Sequence, residues 1–129
     1  MSIEIFFGEN QRVNARLKDT VVYTDQPVES GGENSAPSPF VLFLSSIGTC
    51  AGYYIRSFCQ ERKISTDNIK IVQKMVYDHN THLISDINIE VELGPDFPDK
   101  YKNALLNVIN QCKVKKHIEK PPKIKTIIK

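Results

Sequence analysis

The alternation of apolar and polar residues near the N-terminus predicts three short strands. Residues 2–7, 12–17 and 20–24 are rich in β-branched and aromatic side chains, and the polar stretches between them are short enough to turn. This spacing is typical of an antiparallel meander. Residues 25–39 follow with three prolines, two glycines and almost no apolar side chains, so we predict a long loop there.

From Pro39 the pattern changes to one that predicts a helix running to about Arg62. Apolar residues now recur at steps of three and four, which places them on one stripe of a helix. The stripe consists of Phe40, Phe43, Ile47, Cys50 or Ala51, Tyr54 and Phe58. Pro39 suits a first helical turn and Ser38 can cap it. Because nearly every side of the first half is apolar, we expect that half to be buried all round.

The second half of the chain predicts a hairpin, two helices and a strand. Residues 69–77 and 84–93 alternate strongly around the polar stretch DHNTHL. After a proline turn, residues 95–112 predict a helix with one apolar side, formed by Tyr101, Ala104, Leu105, Val108 and Ile109. The stretch KVKKHIEK predicts a short basic helix or turn, and KIKTIIK a final strand. This order indicates an α+β fold, and the length indicates a single domain over residues 1–129.

Composition excludes several classes of protein. With 40% hydrophobic and 25% charged residues and a net charge of +2, the chain resembles an ordinary soluble protein rather than a disordered one. Its longest apolar stretch, residues 40–47, is far shorter than the roughly 18 residues of a membrane span. Residues 1–7 lack the basic start and small-residue cleavage site of a secretory signal. We therefore expect a cytoplasmic protein with no membrane partner.

Two polar features do not indicate a binding site. The chain from Lys113 onward has seven lysines and one glutamate, but it lacks arginines and interleaved aromatic residues, so we do not expect it to bind nucleic acid. His79 and His82 form an H-x-x-H motif beside Asp78, at the tip of the predicted hairpin. Such residues are usually polar turn residues, so we expect no metal and no other cofactor.

The three cysteines are the strongest candidates for chemistry. Cys50 lies between Gly48 and Gly52, which either give a ligand access to the sulfur or surround a thiol that is simply buried. Cys112 precedes a group of lysines that would lower its pKa, although the end of a helix acts in the opposite direction. Cys59 lies nine residues after Cys50, on the opposite side of the predicted helix, and we give it a structural role.

Together these segments resemble a known family. The stretches TDQP, GGENSAPSPFVLFLSSIGTCAGYYIRSFCQERKI and FPDKYKNALLNVINQCKVKKHIEKPP look like those of the OsmC/Ohr family of cysteine-based peroxide-defence proteins. The resemblance runs from about residue 10 to the C-terminus. It implies an OsmC-like fold, in which antiparallel sheets surround a long central helix, and an intertwined homodimer with sites at the subunit interface.

The resemblance also implies roles for individual residues. Cys50 corresponds to the peroxidatic cysteine and Cys112 to the resolving cysteine. The family's activating arginine corresponds to Arg12, or to Arg16 if the strand register differs. The family's glutamate is absent, because the helix has Phe40 and Val41 at that point. The resemblance thus implies that the two glycines leave space beside Cys50, so that the Cys50 sulfur can reach both a substrate and the second thiol.

The sequence therefore predicts reduction of organic hydroperoxides in oxidative-stress defence, with an external dithiol restoring the cysteines. An alternative on the same fold is a non-enzymatic protein, in which a cleft near Phe40, Phe43 and Tyr53 binds a small apolar ligand and the cysteines act as sensors. The missing glutamate favours this alternative.

Overall fold

The computed structural model describes residues Met1–Lys129, and the chain folds into two compact units, Met1–Ser45 and Ser46–Lys129. The first unit contains a three-stranded antiparallel sheet with the order β1-β2-β3. The strands are β1 (Glu4–Phe7), β2 (Val13–Arg16) and β3 (Val21–Val22). The predicted meander is confirmed, although each strand is shorter than its apolar segment.

The helix α1 (Pro39–Glu61) confirms the predicted central helix. At its start the backbone N–H of Val41 donates to Ser38 Oγ at 3.4 Å, which is the expected side-chain cap. The expectation that the first half is buried all round is wrong for the single chain. Phe40 and Phe43 are 58% and 47% exposed. The apolar stripe is present, but this chain alone does not cover it.

The hairpin of the second unit consists of β4 (Lys70–Asp78) and β5 (Leu83–Glu92), as predicted. The two strands pair antiparallel from Lys70 opposite Glu92, and the register shifts once, between Val76 and Tyr77. Such an irregularity increases the local twist of the two strands. The hairpin is therefore a long twisted ribbon.

The core of the second unit lies where α1 meets α2 (Lys102–Ile109), which confirms the predicted second helix. The residues at its centre are Ile55, Phe58, Cys59, Phe97 and Leu105. The Arg62 guanidinium lies 3.6 Å from the Phe58 ring centroid, which stabilises the end of α1. Burial raises the pKa of Cys59, which is fully covered, so this thiol stays protonated and inert as its structural role requires.

The last predicted strand is the one element that the structure contradicts. The basic stretch after Cys112 forms the helix α3 (Lys113–Glu119), but residues 121–129 have no regular structure. A strand exists through hydrogen bonds to a neighbouring strand, and no strand of this chain pairs with the segment. Its apolar residues therefore remain exposed: Ile124, Ile127 and Ile128.

A buried carboxylate organises the loop before α1. Asp25 accepts hydrogen bonds from the Ser35 hydroxyl at 2.6 Å, the Ser35 N–H at 3.0 Å and the Gln26 N–H at 2.8 Å. The Glu33 N–H donates to the same carboxylate at 3.3 Å. These bonds, led by that of the Ser35 hydroxyl, lower the pKa of Asp25 from 3.8 to about 2. The Asp25 carboxylate therefore holds the start of the loop, at Gln26, close to its later part, at Glu33 and Ser35.

Asp25 gives the first unit a stability that depends on pH. A carboxylate whose pKa falls on folding stabilises the native state above its unfolded pKa, and that contribution is lost as pH falls through about 2. We expect Asp25→Asn to have a lower thermal midpoint than the wild type at neutral pH. In strong acid, where Asp25 is protonated, the midpoints of the two proteins should become similar. Thermal denaturation of both proteins across this range is the measurement. A deficit that is independent of pH would contradict the role of the charge.

Candidate functional site

The central feature of the second unit is a contact between two cysteines that are sixty-two residues apart. Cys50 lies in the middle of α1, and Cys112 is the residue directly before α3. Their side chains are close enough to share a hydrogen bond, and both are free thiols. Cys50 is partly exposed, whereas Cys112 is 3% exposed. One thiol of the pair is therefore accessible and its neighbour is covered.

The surroundings of Cys50 favour its thiolate. Burial raises the pKa of this thiol, but three hydrogen bonds act in the opposite direction, from the Cys112 side chain and from the backbone N–H groups of Val114 and Lys113. The net result is a pKa of Cys50 below its usual value of 9.0. Donors that point at a sulfur stabilise its negative charge. Cys50 therefore has the character of a nucleophile.

Cys112 has the opposite character. Burial raises its pKa, and the hydrogen bond that it donates to Cys50 raises it further, because this bond requires the Cys112 proton. Backbone N–H groups of Lys115 and Val114 lower it only in part. Of the two thiols, Cys112 therefore holds its proton more tightly and Cys50 loses its proton more readily. The lysines that follow Cys112 in the sequence do not decide its pKa.

The two glycines beside Cys50 face the hairpin. A Cβ at Gly48 would lie 2.6 Å from Gln73 Oε1, and a Cβ at Gly52 would lie 3.6 Å from Ile71 Cδ1. Both neighbours belong to β4. The interpretation that the glycines make room around the Cys50 sulfur is therefore wrong, because the space that they leave is taken by the strand that packs on α1.

We expect the two glycines to differ in their tolerance of alanine. Alanine at Gly52 makes an ordinary contact with Ile71 and removes the cost of about 1 kcal/mol that glycine imposes inside a helix, so Gly52→Ala should raise the free energy of unfolding. Gly48→Ala requires the amide of Gln73 to move first and should gain less. Denaturant unfolding of the two variants measures the difference, and a larger gain at Gly48 would contradict it.

Arg12 lies in the first unit, where carboxylates of the loop hold it. Its guanidinium donates to Ser35 Oγ at 3.0 Å and forms a close ion pair with Glu33. Its Nε also lies 4.0 Å from the buried Asp25 carboxylate. The carboxylate that pairs with Arg12 therefore comes from the loop before α1 and not from α1 itself. The sequence analysis did not identify Glu33 as the partner of Arg12. The several acidic residues and serines in the loop are the signal that could have indicated a partner for an arginine there.

The other predicted site residues have simpler surroundings. The Arg16 guanidinium stacks 4.8 Å from the centre of the Phe6 ring, so the two candidate arginines differ in that only Arg12 is bound by carboxylates. Phe40 and Phe43 stack on each other with centroids 6.0 Å apart, in the first unit. Tyr53 is exposed in the second unit. A role in binding a substrate remains a prediction for these three aromatic residues.

The second unit also contains a largely apolar cavity of about 510 Å³ next to Cys112. Its wall includes residues of α1, β5, α2 and α3. Most of them are aliphatic: Ile47, Ala51, Ile84, Ile87, Ile89, Val91, Leu106, Ile109 and Ile118. No set of three or more histidine, cysteine, aspartate or glutamate side chains is arranged to hold a metal ion, and His79 packs edge-to-face on Tyr77.

Comparison with known proteins identifies the family of this chain. The model of the OsmC-like protein family matches residues 32–127, which covers α1, the hairpin and both cysteines. The chain belongs to the OsmC family. Its α+β architecture of antiparallel sheets and a long helix is the OsmC-like fold, and solved structures of OsmC and Ohr proteins share it.

Three of those structures show how far this OsmC protein resembles its relatives. A Psychrobacter arcticus protein described as an osmotic stress induced and detoxification response protein has 20% identity and a TM-score of 0.72, over 90% of this chain and 86% of that one. An OsmC-like protein from Mycoplasma pneumoniae has 14% identity and a TM-score of 0.68, over 92% and 86%. An organic hydroperoxide resistance protein from Legionella pneumophila has 20% identity and a TM-score of 0.53, over 91% and 87%.

These identities establish the fold rather than an activity, and no curated protein matches the chain. None of the helices combines the length and the apolar character that crossing a bilayer requires.

Proposed function

We propose that this OsmC protein is a thiol-dependent reductase of organic hydroperoxides, with Cys50 as the peroxidatic and Cys112 as the resolving cysteine. The observation that supports this most strongly is the contact between two thiols whose pKa values move in opposite directions. Family membership supports the class of chemistry, since relatives of the same fold include organic hydroperoxide resistance proteins. The three free cysteines fit a reducing, cytoplasmic location.

Each step of the reaction uses a feature of this pair. The Cys50 thiolate attacks the distal oxygen of the hydroperoxide, the O–O bond breaks, and the alkoxide takes a proton and leaves as an alcohol. Cys50 is now a sulfenic acid. The Cys112 sulfur attacks it, loses its own proton and releases water, which leaves a disulfide. An external dithiol then reduces that disulfide by two exchange steps and is itself oxidised.

Arg12 is the residue that we propose to orient the peroxide. A guanidinium offers several N–H donors in a fixed plane, which suits the oxygens of a peroxide. The ion pair with Glu33 and the hydrogen bond to Ser35 restrict its rotation. A restricted donor loses less entropy on binding substrate than a mobile one. This arrangement compensates for the missing carboxylate on α1.

We further propose that the protein acts as a homodimer. Ile3, which lies just before β1, and Ile5 and Phe7 in β1 are exposed and alternate along the chain. In the C-terminal segment Ile124 and Ile128 are exposed and would lie on one face of an extended strand. β1 pairs with β2 along one edge only, and residues 121–129 pair with no strand of this chain. A free strand edge binds another extended segment readily. The segment is rich in lysine, whereas β1 includes Glu4. In a dimer, the C-terminal segment of one copy can therefore pair with β1 of the other copy, which covers the exposed apolar side chains of both.

This pairing makes the C-terminal isoleucines determinants of the oligomeric state. In an extended strand Ile124 and Ile128 lie on one face and Ile127 lies on the other. We expect Ile124→Asp combined with Ile128→Asp to convert the dimer into monomers in sedimentation equilibrium, whereas Ile127→Asp has a weaker effect. A wild-type monomer, or equal effects of both variants, would contradict the pairing.

The apolar cavity favours a second candidate function, which is binding of a small apolar ligand without turnover. Its volume of about 510 Å³ is typical of a site for one small molecule. Native mass spectrometry of the purified protein would detect such a ligand.

The proposed reductase is tested by peroxide consumption. Purified protein is mixed with cumene hydroperoxide and a dithiol, and the loss of peroxide is followed. We expect consumption that saturates with peroxide and produces cumyl alcohol in equal amount. If no peroxide is consumed and a ligand co-purifies with the protein, the proposed reductase function would be rejected in favour of ligand binding.

A further inference from the structure

The last part of the second unit, residues 113–129, carries an excess of positive charge. Its side chains include seven lysines and one glutamate, a local charge of +6, although the net charge of the whole chain is only +2. The sequence alone does not assign this charge to a surface. The structure does so, because it shows on which side of α3 the lysines lie and which of them form ion pairs.

Three lysines lie on the side of α3 that faces away from the apolar cavity. Lys113, Lys116 and Lys120 follow one another at steps of three and four residues, which places them on one face of the helix. Residues of the opposite face line the cavity: Lys115, Ile118 and Glu119. The helix therefore separates an apolar, cavity-lining side from a side that carries only positive charge.

Most lysines of this segment have no counter-ion within the chain. Lys115 Nζ lies 3.1 Å from Asn110 Oδ1 and 4.0 Å from Glu119 Oε1. The other six lysines are exposed and form no ion pair, and we call them the basic surface: Lys113, Lys116, Lys120, Lys123, Lys125 and Lys129. Lys113 stands in the first turn of α3, where a positive charge opposes the helix dipole. Helix stability therefore does not explain it.

The basic surface remains exposed in the proposed dimer. In an extended strand Lys123, Lys125 and Lys129 share one face, and the two isoleucines that would contact the second copy share the other. Ile127, which is 68% exposed, lies on the lysine face. Pairing with β1 of a second copy therefore leaves six lysines and one isoleucine on the outside.

We propose that the basic surface docks the protein on a bilayer whose lipids carry a net negative charge. In this arrangement the lysines contact anionic headgroups, and Ile127 enters the boundary between headgroups and acyl chains. The expectation of no membrane partner rests on the lack of a spanning segment, and docking on a bilayer surface requires none. The docking uses neither cysteine, so it is independent of the proposed reductase function.

The residue types favour a bilayer over a nucleic acid. Residues 113–129 contain no arginine, phenylalanine, tyrosine or tryptophan, so they offer neither bidentate phosphate contacts nor stacking on bases. A lysine ammonium is a point charge on a flexible chain and needs no fixed array of phosphates. An exposed isoleucine gains nothing from a phosphate backbone, whereas a bilayer interface buries it.

Co-sedimentation with lipid vesicles tests the docking. The purified protein is mixed with vesicles of phosphatidylcholine alone, or of phosphatidylcholine with one third phosphatidylglycerol. We expect binding to the anionic vesicles only, and its loss at about 1 M salt, where charges are screened beyond about 3 Å. Equal binding to both kinds of vesicle, binding that salt does not change, or no binding would overturn the proposal.

Matched variants locate the docking on the basic surface. One variant replaces three of its lysines with glutamine: Lys116, Lys120 and Lys125. A control has the same net charge and replaces three exposed lysines elsewhere with glutamine: Lys18, Lys63 and Lys70. A lysine near an anionic surface raises partitioning about fivefold, so the first variant should lose about a hundredfold and the control much less. Equal losses would overturn the proposal.

A third variant separates charge from folding. It places arginine at the three positions of the first variant, so it keeps the positive charge with a similar side-chain length. We expect it to bind the anionic vesicles about as well as the wild type does. Loss of binding in this variant would show that the charge of the surface is not what binds, and would overturn the proposal.

A fluorescent reporter tests the position of Ile127. The chain contains no tryptophan, so Ile127→Trp introduces a single one on the lysine face. The emission of a tryptophan shifts to the blue when its ring leaves water. We expect this shift with anionic vesicles for Ile127→Trp but not for Val28→Trp, which places the reporter at an exposed position of the first unit. A shift in both variants, or in neither, would overturn the arrangement.

Competition with DNA separates the two anionic partners. Duplex DNA is added to protein on anionic vesicles, at an equal concentration of negative charge. We expect most of the protein to stay on the vesicles. Transfer of most of it to the DNA would assign the basic surface to nucleic acid and overturn the proposal.

Discussion

Replacing Cys50 with serine is expected to lower peroxide consumption by about three orders of magnitude or more, as loss of a nucleophile does in other enzymes. A serine hydroxyl is not ionised near neutral pH, and hydrogen bonds that stabilise the Cys50 thiolate cannot ionise it. The measurement is the initial rate of cumene hydroperoxide loss with excess dithiol, at equal concentrations of folded protein.

The matched control for this variant is Cys59→Ala. Cys59 is fully buried in the core, and burial raises its pKa, so we expect it to take no part in the proposed reaction. We expect this variant to lose some stability and to keep its activity. If Cys50→Ser retained a rate close to that of the wild type, the assignment of the peroxidatic cysteine would fail.

Replacing Cys112 with alanine is expected to have two effects. Turnover with a dithiol should fall at least about tenfold, because attack within the protein has an effective concentration that an external thiol cannot match. The sulfenic acid of Cys50 should then accumulate and react with dimedone. The pKa of Cys50 should also rise, since burial remains while the hydrogen bond from Cys112 is lost. The pH dependence of alkylation by iodoacetamide measures this rise.

Cys112→Ser separates the two roles of this residue. A serine hydroxyl can still donate a hydrogen bond to the Cys50 thiolate, but it cannot form a disulfide. We expect the alkylation profile of this variant to stay near that of the wild type, while its turnover falls as in Cys112→Ala. Similar profiles for the alanine variant and the wild type would show that the Cys112 hydrogen bond does not stabilise the thiolate.

Elements whose partners are close in sequence were predicted well. The hairpin β4–β5 and the helix α1 follow from periodicity, because each forms its hydrogen bonds with itself or with its neighbour along the chain. The last strand was predicted from the same kind of pattern and is absent. Its alternation is real, but its hydrogen bonds need a second strand that the chain does not supply.

The roles of the glycines show a different limit of sequence analysis. Small residues beside a cysteine indicate that something approaches closely, but the sequence does not show what. The structure identifies β4 on that side of α1, through Gln73 and Ile71. The position of Glu33 beside Arg12 was missed for a related reason, since twenty-one residues separate the two and the loop path decides their contact.

By itself the sequence determined the strand and helix segments, the α+β class, the family and the two cysteines of interest, because these depend on local periodicity and on recognisable motifs. Only the tertiary structure decided that Cys50 and Cys112 touch, that the N–H groups of Lys113 and Val114 stabilise the first thiol, and that a cavity reaches the second. The pKa of a thiol depends on burial and on donors within hydrogen-bond distance. Folding brings those donors from distant parts of the chain.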